Sequence, residues 1–251
     1  MRRVVVTGIG TINSTGHNVK DSFEAVVNGV CGIDTITLFD ASDFSVKIAG
    51  EVKDFDPTTV MDKKEVKKAD RFIQLGIKAA HEAMIDSGYV TADNKKVDGS
   101  IADRFGIISG SGIGGLSTIE RNSVVCETKG SRKVSPFFIP SSLANMLSGF
   151  ISIEHNLRGP SLAHVTACAA STHALNDAVK TIMIGGADRI LVVGAESAIC
   201  GAGVAGFAAM KALSTRNDDP KKSSRPFDVD RDGFVMGEGA GALVVEDLEL
   251  A

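Results

Sequence analysis

Short apolar runs rich in β-branched residues and punctuated by glycine recur along the chain at 3–7, 104–109, 162–166, 189–193 and 241–246. Runs of that length without polar alternation predict strands buried on both faces, in a sheet covered by helices. Between them Phe72, Leu75, Ala79, Ala83 and Met84 recur at three-to-four spacing, which predicts a helix over 70–87 stopped by Gly88. A second helix is predicted from about 168 to 183. The stretch 190–210 carries Glu196 as its one charge. Its glycines and mid-span carboxylate predict a buried strand, a tight loop and a packed helix rather than a membrane span. Strands alternating with helices make an α/β architecture with βαβ crossovers. No internal repeat, low-complexity tract or linker divides residues 1–251, which read as one folding unit.

Composition narrows the core. The 251 residues are 43% hydrophobic and 23% charged, yet only 5% aromatic, with no Trp, one Tyr and 27 Gly. Core volume must therefore come from aliphatic side chains and alanine, with backbones in close approach. A net charge of −4 argues against nucleic acid as a partner, since phosphate neutralisation needs surplus Lys and Arg. Cys31, Cys126, Cys168 and Cys200 form no Cys-x-x-Cys pair and have no histidine at zinc-ligand spacing, so neither a disulfide framework nor a metal site is expected. The apolar run after Arg2-Arg3 breaks at Thr7-Gly8-Ile9-Gly10, too early for a secretion signal, and the reading is a cytoplasmic protein.

Three motifs invite chemistry. Gly110-Ser111-Gly112-Ile113-Gly114-Gly115 fits the glycine fingerprint that cradles a dinucleotide pyrophosphate after a strand. The acidic residue expected about twenty positions on is missing, and 129–133 read as a loop. Asp228, Asp230, Asp232 and Gly233 imitate the start of a calcium loop, but Gly239 stands where its bidentate glutamate belongs. The third motif, Thr166-Ala167-Cys168-Ala169-Ala170-Ser171, places a cysteine between a strand and a helix. Amides at a helix N-terminus favour thiolate and can bring a cysteine pKa to roughly 3.5–7.5. Small neighbours leave room for a substrate around the sulfur; a buried inert thiol is the alternative.

Gly159-Pro160, Thr166-Ala167-Cys168, Gly194-Ala195-Glu196, Ala212-Leu213-Ser214, 224–228, 231–235 and 237–241 together resemble the β-ketoacyl-acyl-carrier-protein synthases across essentially the whole chain. The resemblance implies a thiolase-like fold, of which this chain is the N-terminal half of a pseudo-twofold αβαβα architecture, usually paired into a homodimer. It implies that Cys168 takes an acyl group from acyl carrier protein and that malonyl carrier protein then elongates it by decarboxylative condensation. It places Ile113 at a chain-length gate and Phe138 and Phe207 on the acyl pocket, though all three would equally suit ordinary core. It places Lys64, Lys67, Lys68, Arg71, Arg132, Lys133 and Lys211 on a basic surface for the acidic carrier protein. It calls for no metal or organic cofactor and no membrane partner.

Two departures qualify it. His164 stands where the family's strand carries an aliphatic residue, and is expected to be a satisfied core histidine. The family's histidine pair for decarboxylation has no counterpart among His17, His81, His155, His164 and His173. The expectation is a fragment that holds the nucleophile and is inactive alone. Two rivals stay open: a cysteine hydrolase using Cys168 with His164 or His173, and a non-catalytic partner that sets chain length for another synthase.

Overall fold

The computed structural model describes residues 2–251. The chain begins with β1 (Val4–Asn13), α1 (Val19–Val27), β2 (Asp34–Thr35), β3 (Ile48–Ala49), α2 (Lys63–Val66), α3 (Arg71–Asp86) and α4 (Gly99–Ala102). It continues through β4 (Phe105–Gly110), α5 (Leu116–Lys129), α6 (Phe138–Ser142), α7 (Met146–His155) and β5 (Ser161–His164). It ends with α8 (Ala170–Met183), β6 (Arg189–Glu196), α9 (Gly201–Ala209) and β7 (Gly239–Asp247). The main sheet has the order β1-β7-β6-β4-β5, with β6, β4 and β5 parallel and β7 antiparallel to both its neighbours. The sheet is thus mixed, and the class is the expected α/β.

The three inner strands are buried on both faces by period-two alternation. Ile107, Leu191, Val193 and Val244 pack under α3 and α7, while Ile108, Ile190, Val192 and Val245 pack under α8. The edge strands depart from the expectation. β5 has no buried residue and β1 is only partly covered, because each has a neighbour on one side alone and an incomplete helical cover.

Helix α3 follows its sequence signals closely. The Asp70 carboxylate accepts from the Phe72 N–H at its start, and Gly88 just past its end takes φ +77°. Phe72, Leu75, Ala79, Ala83 and Met84 are all fully buried, and each large side chain among them contributes about 1.5–3 kcal/mol.

β1 runs six residues beyond the predicted 3–7, and the glycines that seemed to end it explain why. A Cβ on Gly8 would lie 2.2 Å from the Ala83 carbonyl oxygen, and one on Gly10 2.1 Å from that of Ala79. Bare backbone at these positions lets α3 lie directly on the strand.

The same device seats α8. Gly110 and Gly194 are register partners at the C-terminal ends of β4 and β6. A Cβ on Gly110 would lie 2.5 Å from the Ala170 carbonyl carbon, and one on Gly194 2.1 Å from Ser171 Oγ. The first turn of α8 therefore rests on the strand ends themselves. The helix starts at Ala170 rather than at 168, because Ala167–Ala169 form a separate 3-10 turn.

Gly110→Ala is expected to cost about 1–3 kcal/mol through overpacking against backbone that cannot move aside. Gly206→Ala, on α9 with open space around its Cβ, is expected to be neutral or stabilising. Thermal melts of the two variants decide: equal melting temperatures would remove the close-approach argument.

Candidate active site

The bend between β5 and α8 carries Cys168. Ala167, immediately before it, takes φ +50°, a left-handed conformation that costs a residue with a Cβ about 1–2 kcal/mol. Strain of this kind persists only where the surroundings enforce it. Cys168 lies just ahead of α8, and together with Ile113 and Phe207 it lines a mainly apolar cavity of about 760 Å³. The cavity opens at the carboxyl ends of β4 and β6, where α/β sheets commonly bind ligands. Phe234, from the segment before β7, meets Phe207 edge-to-face with ring centroids 5.6 Å apart. Phe138 departs from the expectation: it sits half-buried on α6 and is not in the wall, because that short helix packs beside α5 and α7 instead.

The glycine fingerprint has an occupant of its own. Glu196, at the end of β6, accepts hydrogen bonds from the N–H groups of Gly112 at 2.7 Å, Ile113 at 2.9 Å and Gly114 at 3.3 Å. The Ser111 hydroxyl donates to it at 3.3 Å. A turn that presents successive amides is an anion nest, and here the anion belongs to the chain. The amides that would meet a pyrophosphate are spent on this carboxylate. Burial pushes the Glu196 carboxyl above the usual range, against the opposing pull of these amides. The lone carboxylate in an apolar run was the sequence signal for this role, since such a group must find donors once buried.

The calcium-like loop is likewise committed internally. Asp232 accepts from the Ser214 hydroxyl at 2.8 Å, the Thr215 N–H at 2.9 Å and Arg225 at 3.2 Å. Asp228 accepts from the Asp230 N–H at 2.8 Å, so the carboxylates shape a turn.

Neither histidine of the hydrolase rival reaches the cavity. His164 is half-buried on β5 rather than in the core, with Nε2 3.0 Å from Asp177 Oδ2 but off the hydrogen-bonding direction. His173 Nδ1 shares a hydrogen bond of 2.7 Å with the Thr166 hydroxyl.

Of the basic residues, Lys64, Lys67, Arg132, Lys133 and Lys211 are exposed. Segments 64–71 and 132–138 meet where Lys68 Nζ lies 5.8 Å from the Phe137 ring centroid, and Lys68 also pairs with Glu65. Lys211 stands apart, beside a second cavity lined by Arg225 and Arg231. Arg71 departs from the surface expectation. It grips the buried Glu238 with two nitrogens, Nε at 2.8 Å and Nη2 at 2.7 Å, and donates to the Val52 carbonyl at 2.6 Å. Ser197 donates to the same carboxylate at 2.6 Å. That pair braces the cavity wall, since Gly237 and Gly239 flank Glu238 and both line the cavity.

The sequence profile of the family described as β-ketoacyl synthase, N-terminal domain, matches residues 1–251. The chain is 49% identical over 251 residues to the 3-oxoacyl-(acyl-carrier-protein) synthase 2 of Vibrio harveyi. It is 46% identical over 250 residues to that of Coxiella burnetii. All of this chain is covered in both alignments but only 59% of each relative, so it spans well under two thirds of their length. Among solved structures, a β-ketoacyl synthase from Burkholderia phymatum STM815 matches with TM-score 0.88 at 30% identity, over 100% of this chain and 60% of that one. The ishigamide ketosynthase/chain length factor matches with TM-score 0.84 at 32% identity, over 100% of this chain and 59% of that one.

Because burial raises the Glu196 pKa, the folded protein keeps a proton that the unfolded chain releases. From this group, stability is greatest below the ordinary value of 4.5 and falls as pH rises toward the elevated folded value. Glu196→Gln has no proton to lose and is expected to show a flatter stability curve above pH 4.5. Urea midpoints across that window measure it, and identical slopes would count against the buried-carboxylate account.

Proposed function

The chain belongs to the β-ketoacyl synthase family, and on that premise we propose that it is the nucleophile-bearing part of a 3-oxoacyl-acyl-carrier-protein synthase with a thiolase-like fold. The observation that carries the proposal is Cys168 on a strained bend ahead of α8, opening onto an apolar cavity. In the first half-reaction the Cys168 thiolate attacks the thioester carbonyl of an acylated carrier protein. The backbone N–H of Cys168 serves as one donor to the resulting oxyanion. Collapse expels the carrier's thiolate and leaves the acyl group on the sulfur, its chain lying among Ile113, Phe207 and Phe234. In the second half-reaction malonyl carrier protein loses carbon dioxide, and the carbanion attacks the Cys168 thioester. The products are a 3-oxoacyl carrier protein two carbons longer and the free Cys168 thiolate. Charge builds on the malonyl thioester oxygen as carbon dioxide leaves, and none of the chain's histidines lines the cavity to receive it. Residues 1–251 thus supply the acyl-transfer step, and the condensing step needs donors from elsewhere. The reaction calls for no metal or organic cofactor.

The partner is an acyl carrier protein, met by Lys64, Lys67, Lys68, Arg132 and Lys133, with Lys211 as a separate contact and Arg71 as a brace behind them. Charge complementarity steers such an encounter. A homodimer would use β5, whose free edge exposes Leu162 and continues into exposed Val165. The domain assignment is one unit, residues 1–251. Its apolar stripe of Phe23, Val26, Val27 and Val30, each more than half exposed along and just past α1, suits cover by a second body. Four free cysteines suit a cytoplasmic setting. Among the described residues no helix is long and apolar enough to cross a membrane. The likeness to a ketosynthase/chain length factor favours, as a second reading, a non-catalytic partner that sets chain length. The retained Cys168 weighs against it.

Incubated with acylated carrier protein, the chain is expected to gain one acyl mass, lost in Cys168→Ser, and to release no carbon dioxide from labelled malonyl carrier protein. Acylation undiminished in Cys168→Ser would overturn the nucleophile, and carbon dioxide release would overturn the division of labour. Losing one positioned donor commonly costs about 2.7–4 kcal/mol, which sets the size of the expected deficit.

Reversal of Lys67 and Lys68 to Glu is expected to slow acyl transfer from the carrier protein and to flatten its salt dependence. Transfer from a small acyl thioester should be spared. Equal loss with both donors would move the basic residues from docking to folding.

A further inference from the structure

Something must hold Ala167 in its left-handed conformation, and the polar ties around the bend are the candidates. We propose that Thr166 and His173 are positioning residues which clamp this bend and so aim Cys168 at the cavity, a role that rests on the nucleophile reading above. Their hydrogen bond of 2.7 Å runs from the residue before Ala167 to the first turns of α8, so it closes across the strained residue and Cys168 together. Asp177 lies one turn farther along the same face of α8 and approaches His164, the last residue of β5, at 3.0 Å. The two imidazoles stand with ring centroids 6.3 Å apart. The strand and helix are thus close on both sides of the crossing, and the Thr166–His173 hydrogen bond is what joins them there. The strand end itself is fixed by the Ser111 N–H donating to the His164 carbonyl at 3.2 Å. Both ends of the bend are thus anchored; within it the Ala169 N–H donates to the Thr166 carbonyl at 3.2 Å, and the Thr166–His173 contact is the side-chain hydrogen bond that ties this turn to α8. Neither histidine lines the cavity, so neither acts on the acyl group directly.

Without the clamp, Ala167 relaxes out of the left-handed region and the thiol turns away from the mouth of the cavity that it lines. The test is the rate of Cys168 alkylation by iodoacetamide, with exposed Cys126 as internal standard and buried Cys200 as a sentinel for unfolding. Thr166→Val, which keeps shape and removes the hydroxyl, is expected to slow Cys168 about tenfold relative to Cys126, as misplacement of a reacting atom does. Thr166→Ser, which restores the hydroxyl, should return the parent rate. The double variant Thr166→Val with Ala167→Gly should recover most of the loss, because glycine adopts the left-handed bend without enforcement. A contact that merely stabilised the fold would show no such recovery. Should Thr166→Val also expose Cys200, His173→Gln removes Nδ1 from the other end and is judged by the same rate. A fast Cys168 indifferent to these changes overturns the clamp alone. A parent Cys168 no faster than Cys126 overturns the nucleophile reading and the clamp's purpose with it.

Discussion

Two missing side chains govern the architecture around Cys168. Gly110 and Gly194 face each other in register on adjacent parallel strands, and the absence of their Cβ atoms sets the distance between the sheet and α8. From that contact follow the position of the bend, the mouth of the cavity and the company of Cys168. The residues directly after these glycines complete the site. Ser111 to Gly114 form the amide nest after one strand, and Glu196 enters it from the other. One close approach thus positions both a helix terminus and a buried carboxylate.

Legibility in the sequence followed the range of the forces involved. Helix α3 was readable because its cap, its periodic core face and its terminal glycine are all local signals, and they agree. The inner strands were readable because burial on both faces leaves an unbroken apolar run. The end of β1 was not, since Gly8 and Gly10 look like breakers until α3 is laid across them. The exposure of β5 was equally hidden, because strand order is decided by partners far away in sequence. Cys168 stood out from its neighbours' size and its place between elements, whereas the Thr166–His173 contact left no mark beyond two polar residues in a small-residue stretch. Arg71 illustrates the converse error. A cation in a basic-looking segment is free to greet a partner only if no buried carboxylate claims it, and Glu238 lies far along the chain.

Charge in this protein is spent mostly on joining segments. Arg71, Glu238, Val52 and Ser197 connect the start of α3, the segment that follows β3, the exit of β6 and the approach to β7 in one network. Asp70, the cap of α3, also accepts from the N–H and hydroxyl of Thr118 and so ties α3 to α5. Buried polar groups are costly unless every lone pair is met, and a network so satisfied specifies one arrangement of its segments. The apolar cavity keeps its shape because its rim is held by such contacts rather than by its own sparse lining.

The pairing of β1 with β7 has a consequence for biogenesis. Val4 lies opposite Asp247, so β1, once made, finds its neighbour only after nearly all the rest of the described chain has followed it. At about 5–20 residues per second that is a wait of roughly 10–50 s, during which α3 can form but has only a solitary strand to lie on. The strand's exposed Val6 and Ile9 and its unpaired backbone are open to the wrong partner throughout. The nascent chain is therefore a natural client for a holdase at β1, and sheet closure is a late event that synthesis in chain order cannot advance.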